Sequence, residues 1–141
     1  MRRRWGWGLL VALLVLAAPA SAMGKRAQAR QLQEIEQLWA SSIRWGDYDT
    51  ALKLVDPRLR QAHPLTDLEL SRYQQVQVSG YSELSSDMEA DGTVVRTIEL
   101  RVINRNTQVE RSRRYRERWR WDEQAKQWWN VDGLPDLWDQ T

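Results

Sequence analysis

Residues able to do chemistry are few in this 141-residue chain. With no Cys there is no thiolate nucleophile and no Cys-bound zinc site, and the single His63 sits in a loop beside Pro64. Ser and Asp are present, but no G-x-S-x-G turn presents a serine, and the glycines are isolated and build no phosphate loop. What remains is charge set into a strand pattern. Alternate residues Val94, Ile98, Leu100 and Val102 are apolar while Arg96 interrupts them, and the series Tyr115, Trp119, Trp121 is interrupted by Glu117. A hairpin turn at Asn106-Thr107 sets Arg96 opposite Glu117 and Ile98 opposite Tyr115. An ion pair on an inner sheet face loses about as much hydration energy as it gains in attraction. It therefore reads either as a polar ligand contact or, more plainly, as a structural pair near a wet rim.

A second pattern is the run Arg114, Arg116, Arg118 and Arg120, four guanidinium groups on one strand face, with Arg111 and Arg113 near by. Such a stripe could grip lipid phosphates or an acidic protein surface. The plainer reading is a solvated face paired with acids from adjoining strands, which also discourages edge-to-edge aggregation. Tryptophan is the third resource: nine in the chain and no Phe. If Trp121 and Trp129 share the inner face, Trp128 points outward. It then needs cover from Trp138, from a partner, or from a second copy packed sheet to sheet.

The elements that must hold these residues change period midway. From Ala27 to about Arg44 the apolar positions Leu32, Ile35, Trp39 and Ile43 predict an amphipathic helix that Gly46 ends. Asp47 caps a second helix over Tyr48 to Val55, stopped by Asp56-Pro57. After a loop, Thr66-Asp67-Leu68-Glu69 has the form of a capping box opening a short helix toward Tyr73. From Val76 the alternation is that of strands: Val76 to Leu84 with a bulge near Gly80, an Asp91-Gly92 turn, Val94 to Ile103, Glu110 to Trp121, the turn Asp122 to Lys126, and Trp128 to Gly133. The expected fold class is α+β, with N-terminal helices packed on a curved antiparallel sheet of about four strands.

The first 22 residues read differently. Arg2 to Arg4, an apolar run from Gly8 to Ala18, and Ala20-Ser21-Ala22 have the order of a secretory signal peptide, and the apolar run is shorter than the roughly 20 residues of a membrane anchor. Cleavage after Ala22 is expected, with a single domain over 23–141. No Cys follows the run, which excludes a lipidated N-terminus. The remaining 119 residues carry 18 basic and 19 acidic groups, so the overall basicity belongs to the leader and nucleic acid is not an expected partner. The expected location is periplasmic or secreted, without a transmembrane segment after cleavage.

The helix ending in Leu38-Trp39, the segment Trp45-Gly46-Asp47-Tyr48-Asp49 with Ala51-Leu52, Asp56-Pro57, and Glu117-Arg118-Trp119 leading to Trp128-Trp129 resemble the nuclear transport factor two-like superfamily, which includes the ketosteroid-isomerase-like enzymes. The resemblance implies a cone whose concave sheet face and covering helices enclose a pocket. The isomerases' Asp base with Tyr and acid donors cannot be placed residue by residue here, so no catalytic residue is carried over. The pocket candidates are Trp39, Tyr48, Tyr81, Arg96, Tyr115, Glu117, Trp119 and Trp129; the candidate interaction surface is Arg114, Arg116, Arg118, Arg120 and Trp128. The expected function is a noncatalytic binding or interaction module of the cell envelope, taking a small apolar or amphipathic ligand, a second copy or an envelope protein, with no metal or cofactor. The alternatives are a ketosteroid-isomerase-like enzyme, for which Glu117 is the one candidate carboxylate, and a structural partner in an envelope assembly. Arg96 opposite Glu117 argues against a general acid.

Overall fold

A computed structural model describes residues 24–138; the leader read at 1–22 lies outside them. Four helices precede four strands: α1 (Lys25–Trp45), α2 (Tyr48–Leu52), α3 (Pro57–Ala62), α4 (Asp67–Tyr73), β1 (Val76–Met88), β2 (Val94–Asn104), β3 (Glu110–Asp122) and β4 (Gln127–Asn130). The strands form one antiparallel meander in the order β1-β2-β3-β4, with α1 packed against the sheet, so the α+β architecture stands.

Local chemistry accounts for the boundaries. Gly46 ends α1 with φ of 73°, a left-handed conformation that glycine adopts without a Cβ clash. Asp47 accepts from Thr50 N at the start of α2, and Thr66 and Glu69 cap α4 reciprocally. Asp56-Pro57 does more than stop a helix. Asp56 Oδ1 accepts from Arg58 N and Pro57 occupies the first turn, so the segment expected to be a loop begins with α3. α2 in turn stops at Leu52, short of Val55, because Val55 leaves the helix to form a parallel bridge with Asn130.

Two bulges shape β1. The pairing with β2 slips between Val78 and Gly80 and again between Glu83 and Ser85. The first slip restores inward parity, so Val76, Val78, Tyr81 and Glu83 all share the face of Val102, Leu100 and Ile98. β2 pairs with β3 in the expected register, Arg96 against Glu117 and Ile98 against Tyr115. The turn itself is wider than two residues: Gln108 N donates to Asn104 O at 2.7 Å and Asn104 N to Val109 O at 3.0 Å, with Asn106-Thr107 at its centre.

The core lies between α1 and the inner sheet face, where Trp39, Ile43, Ile98 and Trp119 have no solvent exposure. Trp39 and Trp119 meet edge to face at 5.5 Å. The chain after β4 returns beneath α4, burying Leu137, while the Tyr73 hydroxyl donates to Pro135 O at 2.9 Å. Trp119→Ala should cost about 3–5 kcal/mol, a large share of the roughly 5–15 kcal/mol that holds a domain of this size, and a denaturant melt would record it as a lower midpoint at unchanged slope.

Candidate functional site

The inner face carries a buried polar cluster centred on Glu117, which is 1% exposed. Its Oε2 accepts from the Tyr81 hydroxyl at 2.9 Å and the Tyr115 hydroxyl at 2.8 Å. Its Oε1 accepts from Arg96 Nη1 at 2.6 Å and Trp119 Nε1 at 3.2 Å. Four donors thus reach one carboxylate, about the full capacity of its lone pairs. Each comes from a position that alternation turns inward: Arg96 from β2, Tyr115 and Trp119 from β3, and Tyr81 from β1 by way of the first bulge. Trp39 of α1 lies beside this cluster, its ring 5.5 Å from that of Trp119, with a buried Nε1 that completes no hydrogen bond.

Arg96 extends the cluster toward solvent. Its Nη2 and Nε donate to Glu83 Oε2 at 2.6 and 3.0 Å, and Nε lies 3.4 Å from Glu36 Oε1. One guanidinium therefore stands among three carboxylates on α1, β1 and β3. Desolvation opposes its charge, yet Glu117, Glu83 and Glu36 outweigh that and hold its pKa above the ordinary arginine value. Burial raises the Tyr81 and Tyr115 hydroxyls, with the Glu117 charge adding to it, so both remain donors. Glu36 behaves otherwise. Desolvation pushes its carboxyl from 4.5 to about 7, with Arg96 lowering it and Glu117 and Glu83 raising it.

Of the expected pocket residues, Trp39, Tyr81, Arg96, Tyr115, Glu117 and Trp119 come together here. Tyr48 does not. It is buried away from Glu117, its ring 4.8 Å from that of Tyr73. Trp129 is a correction, because it pairs with Arg120 on the outer face, its Nε1 3.3 Å from Asp122 Oδ2. Trp128 is the matching correction. It pairs with Trp121, is 4% exposed, and donates from Nε1 to Gln28 O of α1 at 2.9 Å, so it belongs to the core and not to an outer surface. The cause is the turn after β3, where Asp122 Oδ1 accepts from Gln124 and Ala125 and Lys126 takes φ of 52°, setting Trp121 against Trp128. Trp138, offered as cover for Trp128, instead packs on Tyr73 at 4.6 Å.

Arg114, Arg116, Arg118 and Arg120 lie exposed on the outer face. Arg118 pairs with Asp132 at 2.6 Å and Arg114 with Glu99 at 3.3 Å, as a solvated paired face would require. Arg116 and Arg120 have no ion pair among the described residues. Arg111 and Arg113 are not part of this stripe: they pair with Val102 and Leu100 and so belong to the inner face. Sequence reasoning missed Glu36 and Glu83. Glu36 had a signal, standing four residues after Leu32 and three before Trp39 within the apolar stripe of α1. Among the described residues no group of three or more acids or histidines could hold a metal.

The raised Glu36 pKa makes stability depend on pH with a definite sign. The folded state binds this proton more tightly than the unfolded chain, so the contribution is full below about pH 4.5 and is lost as pH rises through about 7. Glu36→Gln, which keeps the neutral form, should raise the melting temperature at pH 8 by the equivalent of about 1–2 kcal/mol after allowing for solvent screening, and change it little at pH 4.5. Arg96→Met removes the cation shared by the cluster and should cost about 3–5 kcal/mol at pH 8, with a smaller loss at pH 5, where Glu36 is neutral. Chemical denaturation of both variants across pH 4.5–8 checks the pair. Compared with known proteins, the chain matches no family model and no curated sequence, so its function is argued from this geometry.

Proposed function

We propose that this chain is an exported, noncatalytic interaction module of the cell envelope that docks an acidic protein partner on the outer face of its sheet. The observation that carries the reading is the saturation of Glu117: four donors fill a carboxylate with 1% exposure, leaving no lone pair for a substrate proton. None of the described grooves is lined by Glu117 or Arg96. A ketosteroid-isomerase-like enzyme needs the reverse, a carboxylate facing a cavity. The inner face is filled around Glu117, and binding capacity lies away from that cluster.

On the outer face, Arg116 stands opposite Thr97, with the paired Arg114 and Arg118 on either side and Arg120 beyond. A planar guanidinium suits bidentate contact with carboxylates and remains charged at any physiological pH. Export rests on residues 1–22, and no described helix is long and apolar enough to cross a membrane. Helices followed by an antiparallel meander are in keeping with a nuclear transport factor two-like domain.

A photocrosslinking side chain at Thr97, in the chain expressed with its own N-terminus in its source cells, tests the reading. The expected result is one adduct with a different polypeptide, lost when Arg116→Glu and Arg120→Glu are combined, while the melting temperature stays within the equivalent of about 0.5 kcal/mol. An adduct only with a second copy of this chain would replace the reading with a sheet-to-sheet homodimer, and no adduct would overturn it.

A further inference from the structure

Near the turn that joins β2 to β3, inner-face residues of both strands face α4 and the returning segment that carries Leu137 and Trp138. The space between them is a groove of about 410 Å³. That is within the size range of small-molecule sites. Its lining includes Arg72 from α4, Arg111 and Arg113 from β3, Val102 from β2, and Trp138 from the returning segment. No Asp or Glu lines it among the described residues. Three guanidinium groups and an apolar wall thus share one small space.

The arginines are placed, not merely crowded. Arg72 lies over the Trp138 ring with its central carbon 4.6 Å from the ring centroid. Arg113 pairs with Leu100, whose 1% exposure marks how deep this row runs, and its Nη1 is buried without any hydrogen-bond acceptor. A buried guanidinium N–H without a partner is costly, because it has lost water and gained nothing in return. The groove lined by Arg44, Tyr48 and Arg105 differs in kind: there Arg44 Nη1 already donates to Ser79 O at 2.7 Å. Val102 and Leu137, 5% and 3% exposed, give the floor an aliphatic character.

We propose that this groove binds a small amphipathic anion, whose carboxylate or phosphate head is held by Arg113 and Arg72 and whose short apolar body lies against Val102, Leu137 and Trp138. The head supplies the acceptor that Arg113 lacks, and bidentate contact with a planar oxyanion is what a guanidinium fork does best. The site is separate from the outer-face arginines and independent of the partner proposed for them.

Titration calorimetry with octanoate and octyl phosphate, with octanol and inorganic phosphate as half-probes, tests it, and Trp fluorescence supplies a second signal. Saturable one-to-one binding of at least one amphipathic anion is expected, at least tenfold tighter than octanol or inorganic phosphate. Which of the two binds more tightly separates a carboxylate from a phosphate ligand. Arg113→Gln should weaken binding at least tenfold without lowering the melting temperature, since it removes an unpartnered buried donor. Should that variant fail to fold, Arg72→Gln carries the same expectation for affinity. The combined Arg116→Glu and Arg120→Glu variant should bind the anion as the parent does, which keeps this result apart from the outer-face reading. Equal binding of octanol and octanoate, no binding of either anion, or undiminished affinity in the folded variant would overturn the proposal.

Discussion

The carboxylate of Glu117 is the constraint around which the rest of the domain is arranged. A charge buried to this depth is tolerable only when its hydrogen bonds are complete, and here completion requires β1, β2 and β3 to be in register at once. A partly satisfied network would be worse than an apolar core, so a slipped strand is penalised by more than lost packing. Arg96 carries the requirement onward to Glu83 and Glu36, and through Glu36 to the seating of α1. The cluster thus acts less as a source of net stability than as a specification of which strand and helix positions meet.

The bulges of β1 belong to the same logic. Strict alternation from Val76 and Val78 would turn Tyr81 and Glu83 to the outside, where neither could reach its partner. One extra residue near Ser79 brings both inward, and Gly80 suits the place because a Cβ there would lie 2.6 Å from Arg101 Nε. The second slip, near Leu84, leaves that side chain 47% exposed and restores parity for the end of the hairpin. An inner face occupied by this polar core has its free surface elsewhere, at the rim and on the outer side, and the functional readings follow that division.

Much of this was legible in the amino-acid sequence, for identifiable reasons. Arg96 and Glu117 could be matched by centring the turn on Asn106-Thr107; alternation excludes a one-residue slip, whereas a shift by two would have kept the faces and parted the pair. Thr66 and Glu69 announced α4 because a capping box is a local device that owes nothing to the rest of the fold. Trp128 and Trp129 were assigned to the wrong faces because β4 is four residues long and its parity depends on the turn before it, whose left-handed Lys126 nothing in the composition marks. Glu36 went unread because the stripe of α1 was traced through its apolar members, and a carboxylate inside such a stripe has meaning only when its cation, 60 residues away, is known. The groove at Arg113 needed tertiary structure outright, since α4 and the returning segment meet β3 only in the folded molecule.

The union of the chain's two ends has a consequence for its life before folding. Gln31 donates to Lys126 O, Trp128 to Gln28 O, and Val55 bridges Asn130, so part of the cover of the helical layer comes from the last strand. Contacts of such long sequence separation form late, because the entropy of closing so large a loop must be met before they yield anything. Until Trp119 and β4 have been made, α1 lacks two partners of its buried side, the Trp119 ring against Trp39 and the Trp128 indole at Gln28. For a protein exported as proposed, that delay holds the polypeptide in a threadable state until synthesis is complete, and leaves the fold to be decided on the far side of the membrane.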